Sequence, residues 1–150
     1  MANTYTTLYY HIVFGTSKRL PVLSKDMQDR VWAYLGGIAR DNDMTAIAVG
    51  GMNDHAHVLL RMRPTQTVSK ATQLLKGGSS LWIHQTFPAL RGFGWQDGYG
   101  AFTVCRHHVD EVAEYVRCQR EHHRKKTFQE EYLGFLKEYG VEFDERYVWD

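Results

Sequence analysis

The chain has 150 residues, 43% hydrophobic and 13% aromatic, which is enough for one ordinary core and too little for two domains of usual size. A formal charge of +1 gives no protein-wide field for nucleic acid, so phosphate contacts have to rest on local clusters such as Lys18-Arg19, Arg61-Met62-Arg63 and Arg124-Lys125-Lys126, each of which also suits a plain solvated face. Cys105 and Cys118 form no CxxC pair, and no apolar run approaches the roughly 20 residues of a membrane span, so the expectation is a reduced, soluble, cytoplasmic protein without a membrane partner.

Thr6 to Gly15 is rich in aromatic and β-branched residues, with Leu8, Tyr10, Ile12 and Phe14 alternating onto one face, and reads as a first strand. Ser24 then has the chemistry of an N-cap, and Met27, Val31, Tyr34, Leu35 and Ile38 follow at helical spacing as far as Asp41-Asn42-Asp43. Thr45 to Gly50 and His55 to Met62 read as two strands joined by the turn residues Met52-Asn53-Asp54, which makes a hairpin the expectation. Past Pro64, Val68, Ala71, Leu74, Leu75, Leu81, Trp82 and Phe87 suggest a second helix, interrupted or strained at Gly77-Gly78. Trp95 to Val104 is expected to be an irregular strand. A third helix carries the stripe Val109, Val112, Ala113 and Val116, and a short helix through Leu133 and Leu136 precedes an extended tail. This order points to an α+β domain, an antiparallel sheet with helices on one face and the other face left available.

In the third strand, period-two geometry separates Ala56, Val58, Leu60 and Met62 from His55, His57, Leu59 and Arg61. Both imidazoles therefore point away from the helix-packed core, where two ring nitrogens and a ligand from elsewhere can hold a cation. With 8 histidines in the chain, fewer than one His-x-His pair is expected by chance, so the pair by itself decides little. On the third helix Tyr115 and Gln119 stand at i and i+4, on one face at the flank of the apolar stripe. Alone, that is an ordinary amphipathic tyrosine on the rim of a core.

The conjunction is more specific. His55-Ala56-His57, set in Asn53-Asp54-His-Ala-His-Val-Leu-Leu, resembles the signature of the HUH nucleases, and Tyr115-Val-Arg-Cys-Gln119 resembles the nucleophile helix of the single-tyrosine transposases of bacterial insertion sequences. Lys76-Gly-Gly-Ser-Ser80 and Trp95-Gln-Asp-Gly-Tyr-Gly-Ala-Phe102 look like segments of the same family, so the resemblance runs from Thr6 to about Lys126. It implies a catalytic domain over 1–126, with 127–150 as its C-terminal helix and tail, a ferredoxin-like or RRM-like sheet, and a homodimer joined edge to edge, for which the first strand is the candidate edge. It also implies Tyr115 as nucleophile and a divalent metal, Mg²⁺ or Mn²⁺, on His55, His57 and Gln119. The implied reaction cuts and reseals single-stranded DNA at hairpin-flanked ends through a 5′-phosphotyrosine, with no nucleotide cofactor.

Lys18, Arg19, Arg61 and Lys76 are the candidate phosphate contacts, and Trp95 and Tyr99 the candidate base-stacking rings. His108 and His122 fall near the flank of Gln119 and are candidates for outer partners of the metal ligands or proton carriers, or for plain surface histidines. Lys76-Gly-Gly-Ser-Ser lacks the GxxxxGK[ST] spacing, which excludes nucleotide hydrolysis by a phosphate loop. Two other readings stay open from the sequence: a binder of structured nucleic acid that does not cut, and a metal-dependent nuclease whose nucleophile is water. Loss of cleavage in Tyr115→Phe separates the tyrosine reading from the second.

Overall fold

The computed structural model describes residues 2–123 and 125–149, so Arg124 of the third basic cluster lies outside the described residues. Its frame is a sheet of four strands, β1 (Tyr9–Gly15), β2 (Thr45–Gly51), β3 (His55–Arg61) and β4 (Gly100–Val104). They lie in the order β2-β3-β1-β4, every neighbour antiparallel, which is the ferredoxin-like arrangement. β2 and β3 make the expected hairpin. β1, however, is no edge: it pairs with β3 on one side and β4 on the other. A strand buried along nearly its whole length gains most from a central position, and the edges fall to β2 and the short β4.

Helices α1 (Lys25–Asp41) and α2 (Val68–Thr86) cover one face of the sheet. Val31, Leu35 and Ala39 of α1 and Ala71, Leu75 and Ile83 of α2 pack there on Ile12, Phe14, Ala56, Val58 and Leu60. Contrary to the expected interruption, α2 runs unbroken through Gly77-Gly78. At Gly78 a Cβ would stand 2.9 Å from Cδ1 of Ile38. The missing side chain lets the two helices close on each other, and that packing offsets a helix-propensity cost of about 1 kcal/mol. Only Gly100–Val104 of the expected irregular strand joins the ladder, while Trp95 makes a single bridge to Thr16.

The opposite face, expected to be available, is covered as well. Val109, Ala113 and Val116 of α3 (Val109–Arg117) pack on Tyr9, Ala48, Leu59 and Val104. Phe128, Tyr132 and Leu136 of α5 (Phe128–Glu138) pack on Val13 and Phe102. The second set of strand residues is itself largely apolar, so leaving it in water would forgo about 25 cal/mol per Å² of burial. Glycine at position 50 sets how closely α3 sits, because a Cβ there would lie 2.1 Å from the carbonyl oxygen of Val116. The third helix foreseen as one piece breaks at Cys118 (φ −101°, ψ 33°), after which Gln119–His122 forms a separate turn, α4. Cys105 and Cys118 are free thiols, and among the described residues no helix is long and apolar enough to cross a membrane.

Candidate active site

β3 delivers His55 and His57 to the face beneath α3, α4 and α5, while Ala56 and Val58 between and beside them enter the other core. Neither imidazole retains any exposed surface, and Gln119 is almost as deeply buried. α3 brings Tyr115 to within 5.9 Å of His57, centroid to centroid, and α4 brings the Gln119 amide oxygen to 3.1 Å from His55 Nε2. One chain thus gathers both imidazoles, the carboxamide and the phenol that its sequence singled out.

Four further residues, Glu131, His123, His11 and Asp54, complete the cluster. Glu131, from α5, places Oε1 2.9 Å from His57 Nε2 and 3.7 Å from His55 Nε2. Its Oε2 accepts a short hydrogen bond from the Tyr115 hydroxyl and lies 3.4 Å from His123 Nε2. His11, on β1, sits 2.7 Å from His57 Nδ1 through its Nε2. Asp54 holds His55 Nδ1 at 2.7 Å. His11 carried a faint signal, since the alternation that puts Ile12 and Phe14 in one core puts His11 on the histidine face. Glu131 and His123 carried none, because their approach depends on how the chain returns after α4.

Electrostatics follows from burial. Removal from water pushes His11 down to about 3, and the neighbouring His57 adds to it. His57 is pushed down to about 4, again mainly by burial, against the upward pull of its bond to Glu131. Burial alone would raise Glu131, yet hydrogen bonds from His123, His57 and Tyr115 outweigh it and hold the carboxyl far below its usual range. His123 is lowered by burial and raised more strongly by Glu131, and ends above its ordinary value. Burial and the adjacent Glu131 push the Tyr115 hydroxyl well above the ordinary phenol range.

The donor set fits a divalent cation. Ligand atoms of His55, His57 and Glu131 all lie within 4.8 Å of one another. His55 Nδ1 is held by Asp54, its Nε2 faces the Gln119 oxygen at 3.1 Å, and that oxygen also meets His123 Nε2 at 3.0 Å while its amide nitrogen donates to the Tyr115 carbonyl at 3.1 Å. Nitrogen and oxygen donors converging in this way suit a cation placed among them. His57 can join them, because a proton shifted from its Nε2 to Nδ1 is accepted by His11 Nε2.

The remaining candidates are placed less uniformly. Lys18 and Arg19 form an exposed turn with φ of 55° and 57°, just past the β1 residue paired with His55, and Arg19 also lies 5.2 Å over the Trp149 ring. Arg61 is exposed at the far end of β3 from His55, about 20 Å along an extended chain. Lys76 is committed to its own fold, donating to the carbonyls of Asp97 and Gly98 at 2.9 and 3.1 Å. Tyr99 is partly exposed. Trp95 is not a stacking platform: it is buried edge-on to Phe14 and Phe93, with its indole N–H donating to Ser79 at 2.9 Å. His122 lies against Tyr115, ring centroids 4.4 Å apart, and His108 sits exposed at the rim of a cleft that includes Tyr115. The partners that orient His55 and His57 are Asp54 and His11 instead.

Known proteins resemble the chain in sequence and in fold. Residues 4–119 match the family model described as "Transposase IS200 like". The ISDra2 transposase TnpA of Deinococcus radiodurans is 28% identical over 119 residues, covering 76% of this chain and 85% of that protein. The transposase for insertion sequence element IS200 of Salmonella typhimurium is 28% identical over 127 residues, covering 81% and 82%. Among solved structures, one described as a transposase from Deinococcus radiodurans R1 superposes with a TM-score of 0.65 at 27% identity, covering 77% of this chain and 94% of that one. A REP-associated tyrosine transposase bound to a REP hairpin is alike in fold, with a TM-score of 0.54 at 13% identity over 77% and 68% of the two chains.

Proposed function

The chain belongs to the IS200-like transposase family, and from that premise we propose that it cuts and rejoins single-stranded DNA at hairpin-flanked ends, with Tyr115 as nucleophile and His55, His57 and Gln119 holding a divalent cation. One observation carries the reading: a single carboxylate separates the Tyr115 hydroxyl from both imidazoles. The phenolic oxygen gives up its proton as it bonds to phosphorus, the bond from phosphorus to the 3′-oxygen breaks, and that oxygen leaves as a hydroxyl on taking up a proton, so the proton count is unchanged. The 5′-phosphate stays on the tyrosine. Because the linkage keeps the phosphodiester's energy, a later 3′-hydroxyl reverses the step with no nucleotide cofactor.

Mg²⁺ or Mn²⁺, when bound, would polarise the phosphodiester and offset charge in the transition state. The chain's own groups do the rest. Asp54 fixes the His55 tautomer, and His11 Nε2 accepts a hydrogen bond from the His57 Nδ1–H, which leaves the His57 ligand nitrogen free of a proton. Gln119 ties its amide to the Tyr115 carbonyl and so couples a ligand to the nucleophile's segment. Burial keeps Tyr115 protonated at neutral pH, so its attack needs a cation or an equivalent charge at hand.

Lys18 and Arg19, at the His55 end of the sheet, are the basic residues best placed for backbone phosphates. Lys125 and Lys126 flank a cleft of about 550 Å³ that opens beside Tyr115. The hairpin named with the REP-associated relative belongs to a protein alike in fold, and it makes a hairpin the first substrate to try. A homodimer formed through the edge of β2 or β4 and a cytoplasmic setting complete the proposal.

The test is direct. Purified protein mixed with hairpin-flanked single-stranded DNA and Mn²⁺ is expected to form an adduct that survives denaturing electrophoresis and vanishes in Tyr115→Phe. Cleavage that persists in Tyr115→Phe would assign the nucleophile to water. Tight hairpin binding with neither cleavage nor adduct in the native chain would leave only a binding protein.

A further inference from the structure

We propose that Glu131 is an exchangeable fourth protein ligand, which holds the cation in the DNA-free protein and yields its place to an oxygen of the scissile phosphate. The inference rests on the transposase reading for its second half, while its first half concerns the chain and the metal alone. Glu131 sits on α5, beyond residues 4–119 that match the family, so neither the histidine pair nor the tyrosine motif announces it.

Charge gives the first reason. His55, His57 and Gln119 are neutral donors in a site almost wholly removed from water, and a doubly charged ion on them alone would be a buried, uncompensated charge. Glu131 supplies one negative charge at the place needed, its Oε1 being 2.9 Å from one ligand nitrogen and 3.7 Å from the other. A phosphodiester carries the same single charge and likewise offers oxygens on two sides. Exchange of one for the other therefore leaves the net charge of the site unchanged.

Position gives the second. The carboxylate spans the ligand nitrogens with one oxygen and the Tyr115 hydroxyl with the other. Attack on phosphorus requires the phosphate to occupy that same gap between nucleophile and cation. Because His55 and His57 expose no surface, a phosphate reaches them only when the carboxylate withdraws. Withdrawal has an evident unit: α5 is held on the sheet through Phe128, Tyr132 and Leu136.

The experiment titrates Mn²⁺ into the full DNA-free chain and reads the free ion by electron paramagnetic resonance. Glu131→Gln keeps the shape and removes the charge, and is expected to weaken binding by about tenfold or more; Glu131→Asp, which keeps the charge on a shorter arm, should fall between it and the native chain. Far-ultraviolet circular dichroism confirms that each variant is folded. In Tyr115→Phe, which forms no adduct, addition of hairpin-flanked single-stranded DNA with Mn²⁺ should speed amide hydrogen exchange across Phe128–Glu138. Native affinity in both Glu131 variants, with the parent binding Mn²⁺ well, overturns the ligand role and leaves the transposase reading intact. Unchanged exchange in α5 despite DNA binding overturns the displacement. A parent chain that binds no Mn²⁺ takes down the metal-assisted reading together with this one.

Discussion

The two faces of the sheet are built by alternate residues of the same strands, and they are closed by different means. Beneath α1 and α2, Ala56, Val58 and Leu60 belong to one cluster of apolar side chains. Beneath α3 to α5, Leu59 and Val13 meet apolar groups too, but His11, His55, His57, Gln119 and Glu131 fill the space between those patches. The first face can hold the fold without regard to pH or ions, because dispersion and burial depend on neither. The second is held partly by a polar network whose protons and charges are adjustable. Stability and chemistry are thus separated by one residue of register, about 3.3 Å along a strand.

The sharpest way to break this comparison is a pair of truncations on β3. Leu60→Ala is expected to cost about 2–5 kcal/mol of unfolding free energy while leaving Mn²⁺ affinity at its native value. His55→Ala should weaken Mn²⁺ binding by about tenfold or more. Denaturant unfolding and metal titration of both variants decide the matter, and equal losses of metal affinity would show that the faces are not independent.

Acid should act on the second face alone. His11 and His57 stay neutral in the folded protein down to about 3 and 4, whereas in the unfolded chain they take up protons near 6.5. Their contribution to stability is complete above 6.5 and is lost as pH falls from there toward their folded values. His123 is raised, so whatever it gains from protonation is already in place by 6.5. Glu131, held low, contributes in full above the unfolded carboxyl range and starts to lose that contribution only as pH falls below it. Between pH 6.5 and 5 the metal-free protein is therefore expected to lose about 2 kcal/mol through the buried histidine pair, measured by urea unfolding. His11→Phe should flatten the slope.

Gly50→Ala tests whether the mounting of α3 matters more for chemistry than for folding. A Cβ 2.1 Å from the Val116 carbonyl has to lift the helix, at a cost of about 1–3 kcal/mol. Tyr115 moves with it, so adduct formation should fall by more than the stability does. The smallest effect belongs to the cleft rim: His108→Ala, at an exposed position, should change stability by less than about 0.5 kcal/mol and leave Mn²⁺ affinity as it was. A marked loss of affinity would extend the polar network further than the distances indicate.

Much of this was legible in the residues. Period-two alternation sorted β3 correctly into a core face and a histidine face, and the Tyr115–Gln119 spacing brought phenol and carboxamide together, although the single helix expected to carry both breaks at Cys118. What failed were inferences about neighbours. The central place of β1 depends on β4 returning to it from 85 residues away, and sequence patterns carry no register over such distances. Trp95 looked like a free ring because its segment is irregular, but Ser79 and Phe14 reach it from other elements. Gly77-Gly78 read as a weakness because the pattern shows the missing side chains and not Ile38, which fills the space at the second. Glu131 was invisible for the same reason: a glutamate in a charged, amphipathic helix is ordinary until the helix is docked.

The break at Cys118 has a mechanical meaning. A continuous α-helix would fix the phenol and the carboxamide to one rigid rod, so that any tilt of one would drag the other. With Tyr115 at the end of one winding and Gln119 at the start of the next, joined by a side-chain bond of 3.1 Å, the pair behaves as two links of a chain. On the function proposed above, tension from a DNA end carried on the tyrosine would bend this joint before it reached the carboxamide.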